Sequence, residues 1–135
     1  MISLKCFVLK INKNKQSGSF IPIMINYNDR IFIPLSNSEN GEVDLNMKFH
    51  YKQTGNIITC SYSGGKIQSG HLIALVDENG CLDMRYHQVN ISGEIMTGVC
   101  NSTPEILENE KIRLFEKWKW TAGDFSEGES VLEEQ

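Results

Sequence analysis

One acidic residue interrupts an otherwise apolar face near the C-terminal end of the chain. In the segment 111–120 the alternate residues are apolar: Ile112, Leu114, Trp118 and Trp120. Glu116 lies in the middle of them, and a carboxylate on a buried face must be paired, or its pKa rises and it keeps its proton. Glu116 is therefore a candidate acid, base or ligand anchor. A structural ion pair with an interior arginine is the competing interpretation.

The segment 81–89 supplies candidate partners for Glu116. Asp83, Arg85 and His87 are spaced at i, i+2 and i+4, so on a strand their side chains lie side by side on one face. One interpretation is a solvated face, on which Asp83 and Arg85 form a surface pair of little energetic value. In the other, this face is the polar wall of a pocket, where Arg85 meets Glu116 and binds an anionic ligand through two hydrogen bonds.

Other chemistry has little support in the sequence. The histidines His50, His71 and His87 are scattered and form no metal-binding motif, so we expect no metal and no cofactor. No Gly-x-Ser-x-Gly elbow or phosphate-binding loop is present, and Ser63–Lys66 is a turn. Cys100 is more consistent with a buried inert thiol than with a nucleophile.

Size and charge limit the class of protein. The chain has 135 residues, 40% of them hydrophobic, which suffices for one core. Its formal net charge is −4 and it has no cluster of Lys and Arg, which argues against nucleic acid and anionic membranes as partners. No apolar stretch approaches the roughly 18 residues of a transmembrane helix.

The four cysteines show no zinc-binding spacing and are too few for a disulfide scaffold, as is usual for reduced intracellular thiols. Near the N-terminus, Lys5 and Lys10 bracket a short apolar run with no cleavage site after it, so a signal peptide is not predicted. These features predict a cytoplasmic protein.

Short apolar runs separated by turn residues predict an all-β fold. Asn79–Gly80 and Gly64–Gly65 supply the positive φ angles that tight hairpins require. About eight runs result, and eight antiparallel strands are enough to close a small up-and-down barrel. The predicted strands are 31–35, 43–52, 57–62, 67–76, 81–89, 94–100, 111–120 and 129–133.

Two regions complicate this interpretation. Thr103, Pro104 and Glu105 form a good helix start, so a short turn of helix is expected at 104–109, although the alternation from residue 111 favours a strand there. Residues 1–23 contain a polar linker and are predicted to be a loosely ordered extension, with Met24 as an alternative start. Residues 24–135 are predicted to form the single barrel domain.

A set of motifs runs along the chain: 49–53, 62–66 with 70–72, 83–89, 98–105, and 113–120 with Gly123, Asp124 and Gly128. Together these motifs resemble a family of small bacterial proteins, many of which carry the name N-acetylglutamate synthase. The resemblance covers about residues 24–134 and supports a lipocalin-like or avidin-like barrel. The name implies an acyltransferase, but the glycine loop that enters a helix in that fold is absent, so no catalytic residue is transferred.

We therefore expect a small β-barrel that binds a small molecule in its lumen. The alternatives are an enzyme, either an acyltransferase of the N-acetylglutamate synthase type or a hydrolase that uses Glu116 with His87, and a structural or interaction protein with a solid barrel. A one-residue shift in register would invert the faces on any strand. The predicted ligand-binding residues are Tyr62, Arg85, His87, Glu116, Trp118 and Trp120. No feature identifies the ligand or favours an oligomeric state.

Overall fold

The computed structural model describes residues 25–135, and the regular elements among them are all β-strands. Alternation of apolar and polar residues forms these strands because it buries one face and leaves the other to solvent. Within this range, no helix is long and apolar enough to cross a membrane. The strands are β1 (Ile31–Asn37), β2 (Phe49–His50), β3 (Lys52–Thr54), β4 (Ile57–Gly64), β5 (Ile67–Val76), β6 (Leu82–Asn90), β7 (Ile95–Ile106), β8 (Ile112–Trp120) and β9 (Glu127–Glu134).

The strands form one antiparallel sheet that curls into a nearly closed barrel. From β3 to β9 each strand pairs with the next one in the chain, and β1 pairs with both β9 and β2. Only Tyr51 separates β2 from β3, so the two ends of the sheet meet in one bent segment. With β2 and β3 counted as one strand the barrel has eight, which confirms the predicted up-and-down architecture.

One end of the barrel is sealed by aromatic side chains. Tyr27, Phe32 and Tyr51 are completely buried and contact one another, with ring centroids between 4.8 and 6.2 Å apart. The Tyr27 hydroxyl donates a hydrogen bond of 2.5 Å to the carbonyl of Gly80 in the β5–β6 turn. Gly80 has a φ of 81°, as predicted for the hairpin turn at Asn79–Gly80. The barrel is therefore closed at this end.

The helical turn expected at 104–109 is wrong. β7 continues through Pro104, which lies opposite Leu114 of β8, and the hairpin closes where the Leu107 amide donates to the Lys111 carbonyl at 2.8 Å. Pairing with β8 overrides the local helix preference because β7 has partners on β8 from Gly98 through Ile106. The strand predicted from residue 111 is confirmed as β8. The predicted extension, residues 1–23, lies outside the described residues.

Candidate functional site

A cavity of about 60 Å³ lies inside the barrel, between the sealed end and the opposite mouth. Its walls are mostly apolar and largely aromatic, which is typical of small-molecule sites. The aromatic residues that line it are Phe49, Tyr51, Tyr62, Tyr86, Trp118 and Trp120. They come from the β2–β3 segment, β4, β6 and β8, so the curvature of the sheet brings together residues that are distant in sequence.

Three of these rings lie against glycines on the neighbouring strand. In each pair the two residues are direct partners across an antiparallel hairpin, and a methyl group on the glycine would come within 2.3 Å of the ring. Any side chain at the glycine would therefore push the ring away from the wall, into the lumen. The pairs are Tyr62 with Gly70, Tyr86 with Gly98, and Trp118 with Gly128.

A polar row crosses the aromatic wall at Glu116. Ser102 on β7 and Ser130 on β9 are the direct cross-strand partners of Glu116 on β8, so their side chains point to the same side of the sheet. Each serine hydroxyl donates a hydrogen bond of 2.9 Å to a different carboxylate oxygen, and the Cys100 thiol approaches Oε2 at 3.7 Å. Glu116 is thus held facing the cavity by its neighbours on both sides.

Burial raises the pKa of Glu116 above its ordinary value, and the hydrogen bonds from Ser102, Ser130 and Cys100 oppose this effect without cancelling it. Glu116 retains some accessible surface because it borders the cavity. Among the described residues, no Lys, Arg or His lines the cavity, and no salt bridge involves Glu116. The interior ion pair considered from the sequence is therefore absent from the described part of the chain.

Two further polar atoms at the cavity have no hydrogen-bond partner within residues 25–135. They are the hydroxyl of Tyr51, a completely buried side chain, and Oδ1 of Asn37. Burial, and to a smaller extent the charge of Glu116, raises the pKa of Tyr51 well above its ordinary value, so its hydroxyl keeps its proton. A buried polar group without a partner is costly, which makes these two atoms candidate contacts for a ligand.

The mouth is covered by the segment that joins β1 to β2, residues 38–48, here called the mouth loop. Glu42 of this loop accepts hydrogen bonds from the side-chain amides of Gln88, at 2.9 Å, and Asn90, at 2.8 Å. The indole of Trp120 donates to the Asn40 carbonyl at 3.0 Å. These contacts tie the loop to β6 and β8, and Gln88 also accepts a hydrogen bond of 2.8 Å from Tyr62.

The structure brings together Tyr62, Glu116, Trp118 and Trp120 from the predicted set, all of which line the cavity. The other two, Arg85 and His87, were predicted to lie inside the barrel, and this is wrong. Both are exposed on the outer face. Arg85 pairs with the neighbouring Asp83 at 2.6 Å with its side chain 58% exposed, and the His87 ring stacks on His71 at 5.5 Å.

The inner face of β6 consists instead of Leu82, Met84, Tyr86 and Gln88. Solvation favours this choice of face, because the alternative would remove Asp83, Arg85 and His87 from water together. The expected contact between Arg85 and Glu116 therefore does not exist.

Several cavity residues were not predicted, for different reasons. Gln88, Ser102 and Ser130 lie on strand faces that are otherwise apolar, and alternation alone could have placed them inside. Glu42 belongs to the mouth loop and Asn37 is the last residue of β1, and neither position is part of a periodic pattern. Nothing in the sequence brings Glu42 to Gln88, because the contact crosses the barrel mouth.

The histidines, Cys60 and Cys81 lie apart from this chemistry, whereas Cys100 lines the cavity and contacts Glu116. Cys60 and Cys100 are buried free thiols, whereas Cys81 is disulfide-bonded, so the expectation of reduced cysteines does not hold at Cys81. His50 is exposed and contacts Asp29 at 3.2 Å. Among residues 25–135 no group of three or more metal-binding side chains comes together.

Comparison with known proteins gives one match. No curated protein and no solved structure matches the chain. A family model described as "Avidin-like protein" matches residues 25–135, which include all nine strands and every cavity residue named above. This match and the nearly closed antiparallel barrel confirm the avidin-like fold expected from the sequence. The chain belongs to the Avidin-like protein family.

Proposed function

We propose that this protein binds a small molecule in the cavity of its barrel, in contact with Tyr62, Glu116, Trp118 and Trp120. The observation that carries the proposal is the set of buried polar groups on an aromatic-lined cavity: a carboxylate without a cation, and the unpartnered hydroxyl of Tyr51. A barrel that served only as a scaffold would be more stable with apolar side chains filling this space.

The size of the cavity limits what fits in the closed arrangement. One water molecule takes up roughly 10–15 Å³ of such a cavity, so about 60 Å³ holds about four to six small heavy atoms. Typical pockets for drug-sized ligands are about 300–1,000 Å³. A larger ligand requires displacement of the mouth loop, whose side-chain contacts through Glu42 are hydrogen bonds that water or a ligand can replace.

The two alternatives are not favoured. An acyltransferase of the N-acetylglutamate synthase type needs a glycine loop that enters a helix, and the part of the chain described here contains only strands. A solid structural barrel has no use for the polar row at Glu116. The predicted cytoplasmic location remains part of the proposal, and fractionation of the source cells with an antibody tests it.

Native mass spectrometry of protein purified gently from its own host is the first test. We expect an adduct at one ligand per chain, and its mass identifies the ligand. Intrinsic fluorescence gives a second readout, because the chain has two tryptophans and both line the cavity. Addition of the identified ligand should shift their emission. The control variant Arg85→Ala, which changes the outer face, should show the same ligand-induced shift as the wild type.

A protein with no adduct, whose tryptophan emission is unchanged by every fraction of a host metabolite extract, would contradict the proposal. Binding that survives unchanged when Trp118 is replaced by Ala would place the ligand outside the cavity and contradict the site.

A further inference from the structure

We propose that the ligand carries a compact, positively charged nitrogen group, a protonated amine or a guanidinium, that binds to Glu116. This inference rests on the proposed function and specifies the class of ligand. It follows from the charges, the unmet hydrogen bonds and the aromatic walls of the cavity, which are independent of one another.

The charged groups at the cavity are all acidic. Glu116 lies at the polar row and Glu42 at the mouth, and no basic side chain of the described residues lines the space between them. The partners of Glu42 within this part of the chain are the neutral amides of Gln88 and Asn90, which do not neutralise its charge. Among residues 25–135 an anionic ligand would meet two carboxylates and no cation, whereas a cationic ligand supplies the missing charge.

The unmet hydrogen bonds favour a ligand that donates. Oε1 of Glu116 accepts one hydrogen bond, from Ser130, and therefore has room for a second donor, whereas Oε2 accepts from both Ser102 and the Cys100 thiol. The unpartnered Oδ1 of Asn37 is an acceptor, and the Tyr51 oxygen can also accept. Ammonium and guanidinium groups have several N–H donors and no acceptor, so they match this arrangement.

The aromatic walls suit a cation as well. The faces of tryptophan and tyrosine rings attract cations, and the attraction is strongest when water is excluded. Trp118, Trp120 and Tyr86 line the same cavity as Glu116, and Trp120 contacts each of the other two edge to face. A charged nitrogen at Glu116 therefore has both a counter-ion and aromatic neighbours within one small space.

The test compares three probes of four heavy atoms on the wild-type protein: propylammonium, 1-propanol and acetate, at constant ionic strength. Binding is measured by tryptophan fluorescence and by isothermal titration calorimetry. For four heavy atoms the dissociation constant can be no lower than about 40 µM. We expect propylammonium to bind at least about tenfold more tightly than either of the other two probes.

A charge-matched pair of variants locates the binding group. Glu116→Gln should weaken propylammonium at least about tenfold, whereas Glu129→Gln, which removes one negative charge from the exposed face of β9, should leave its affinity within about twofold. If Glu116→Gln does not fold, the ranking of the three probes on the wild-type protein decides the question alone.

Failure of this inference can be distinguished from failure of the proposed function. Three results would each overturn the inference. The first is that 1-propanol or acetate binds as tightly as propylammonium, and the second is that folded Glu116→Gln binds propylammonium with unchanged affinity. The third is that no propylammonium binding is detected up to 20 mM, about 500 times the 40 µM limit. If native mass spectrometry then shows a neutral or anionic adduct, the cavity is a ligand site of another class. If it shows no adduct, the proposed function fails too.

Discussion

The pairing of Tyr86 with Gly98 makes a prediction that can be worked out from distances. A methyl group built on Gly98 would lie 2.2 Å from the Tyr86 ring, whereas ordinary contacts begin at 3.4 Å. In Gly98→Ala the ring must therefore move by at least about 1.2 Å, and the cavity that Tyr86 lines offers it open space. Overpacking of this kind costs about 1–3 kcal/mol.

A smaller effect acts in the opposite direction. Gly98 does not have a positive φ, so alanine fits the backbone and stabilises the protein by about 0.4–1 kcal/mol through the unfolded chain. The net expectation is a loss of about 0–2.6 kcal/mol in the free energy of unfolding, measured by urea denaturation with an unchanged m-value. The displaced ring also narrows the cavity, so ligand affinity should fall.

A double-mutant cycle isolates the clash. When Tyr86→Ala has removed the ring, Gly98→Ala should no longer destabilise, and the coupling between the two positions should be about 1–3 kcal/mol. Additive effects, with the same loss from Gly98→Ala in both backgrounds, would refute the argument that Gly98 exists to make room for the Tyr86 ring.

Three further predictions follow from buried groups. Glu116→Gln should raise the free energy of unfolding at pH 7 but not below about pH 4.5 in urea titrations. Because its pKa is raised, the Glu116 carboxyl keeps its proton to a higher pH in the folded protein than in the unfolded chain, so the wild type loses stability as pH rises. A stability difference between Glu116→Gln and the wild type that does not depend on pH would contradict this. In thermal unfolding, Tyr51→Phe should leave the stability unchanged or raise it by up to about 1 kcal/mol, because the Tyr51 hydroxyl has no partner among the described residues. Tyr27→Phe should cost about 1–3 kcal/mol, because it leaves the buried carbonyl of Gly80 without its donor. Equal losses in the two variants would contradict the absence of a partner for the Tyr51 hydroxyl. Iodoacetamide at pH 8 should label neither Cys60 nor Cys100 in the native protein, as followed by mass spectrometry, because burial raises the pKa of both thiols, that of Cys60 to about 12; rapid labelling would show that the barrel opens.

The barrel could be predicted because its signals are local. Alternation in the segment 111–120 placed Glu116, Trp118 and Trp120 on the inner face correctly, since four apolar residues share that face. In β6 both faces were plausible, and the charged one was assigned to the pocket although the cost of desolvating Arg85 and His87 favoured solvent. Local reasoning also failed at Pro104, because a helix start is read from neighbours in sequence and strand pairing comes from β8.

The mouth of the site could not be predicted for a different reason. Glu42 is in a loop without periodicity, and its partners, Gln88 and Asn90, are 46 and 48 residues away in sequence. Such a contact depends on the closed barrel and has no trace in a single sequence. The inner position of Ser102 and Ser130 could have been predicted from alternation along their strands. Only the strand register shows that the two serines flank Glu116.

The position of β1 in the sheet has a consequence for the order of assembly. Strands β3 to β9 are joined as consecutive hairpins, which need only short loops to close, whereas β1 must meet β9 from the other end of the described chain. We therefore expect the meander to form first as an open curved sheet and β1 to close it. Because β1 carries the completely buried Phe32, the core and the lumen are completed in the same step. Replacement of Phe32 by Leu should then accelerate unfolding and hardly slow refolding, which stopped-flow kinetics can measure.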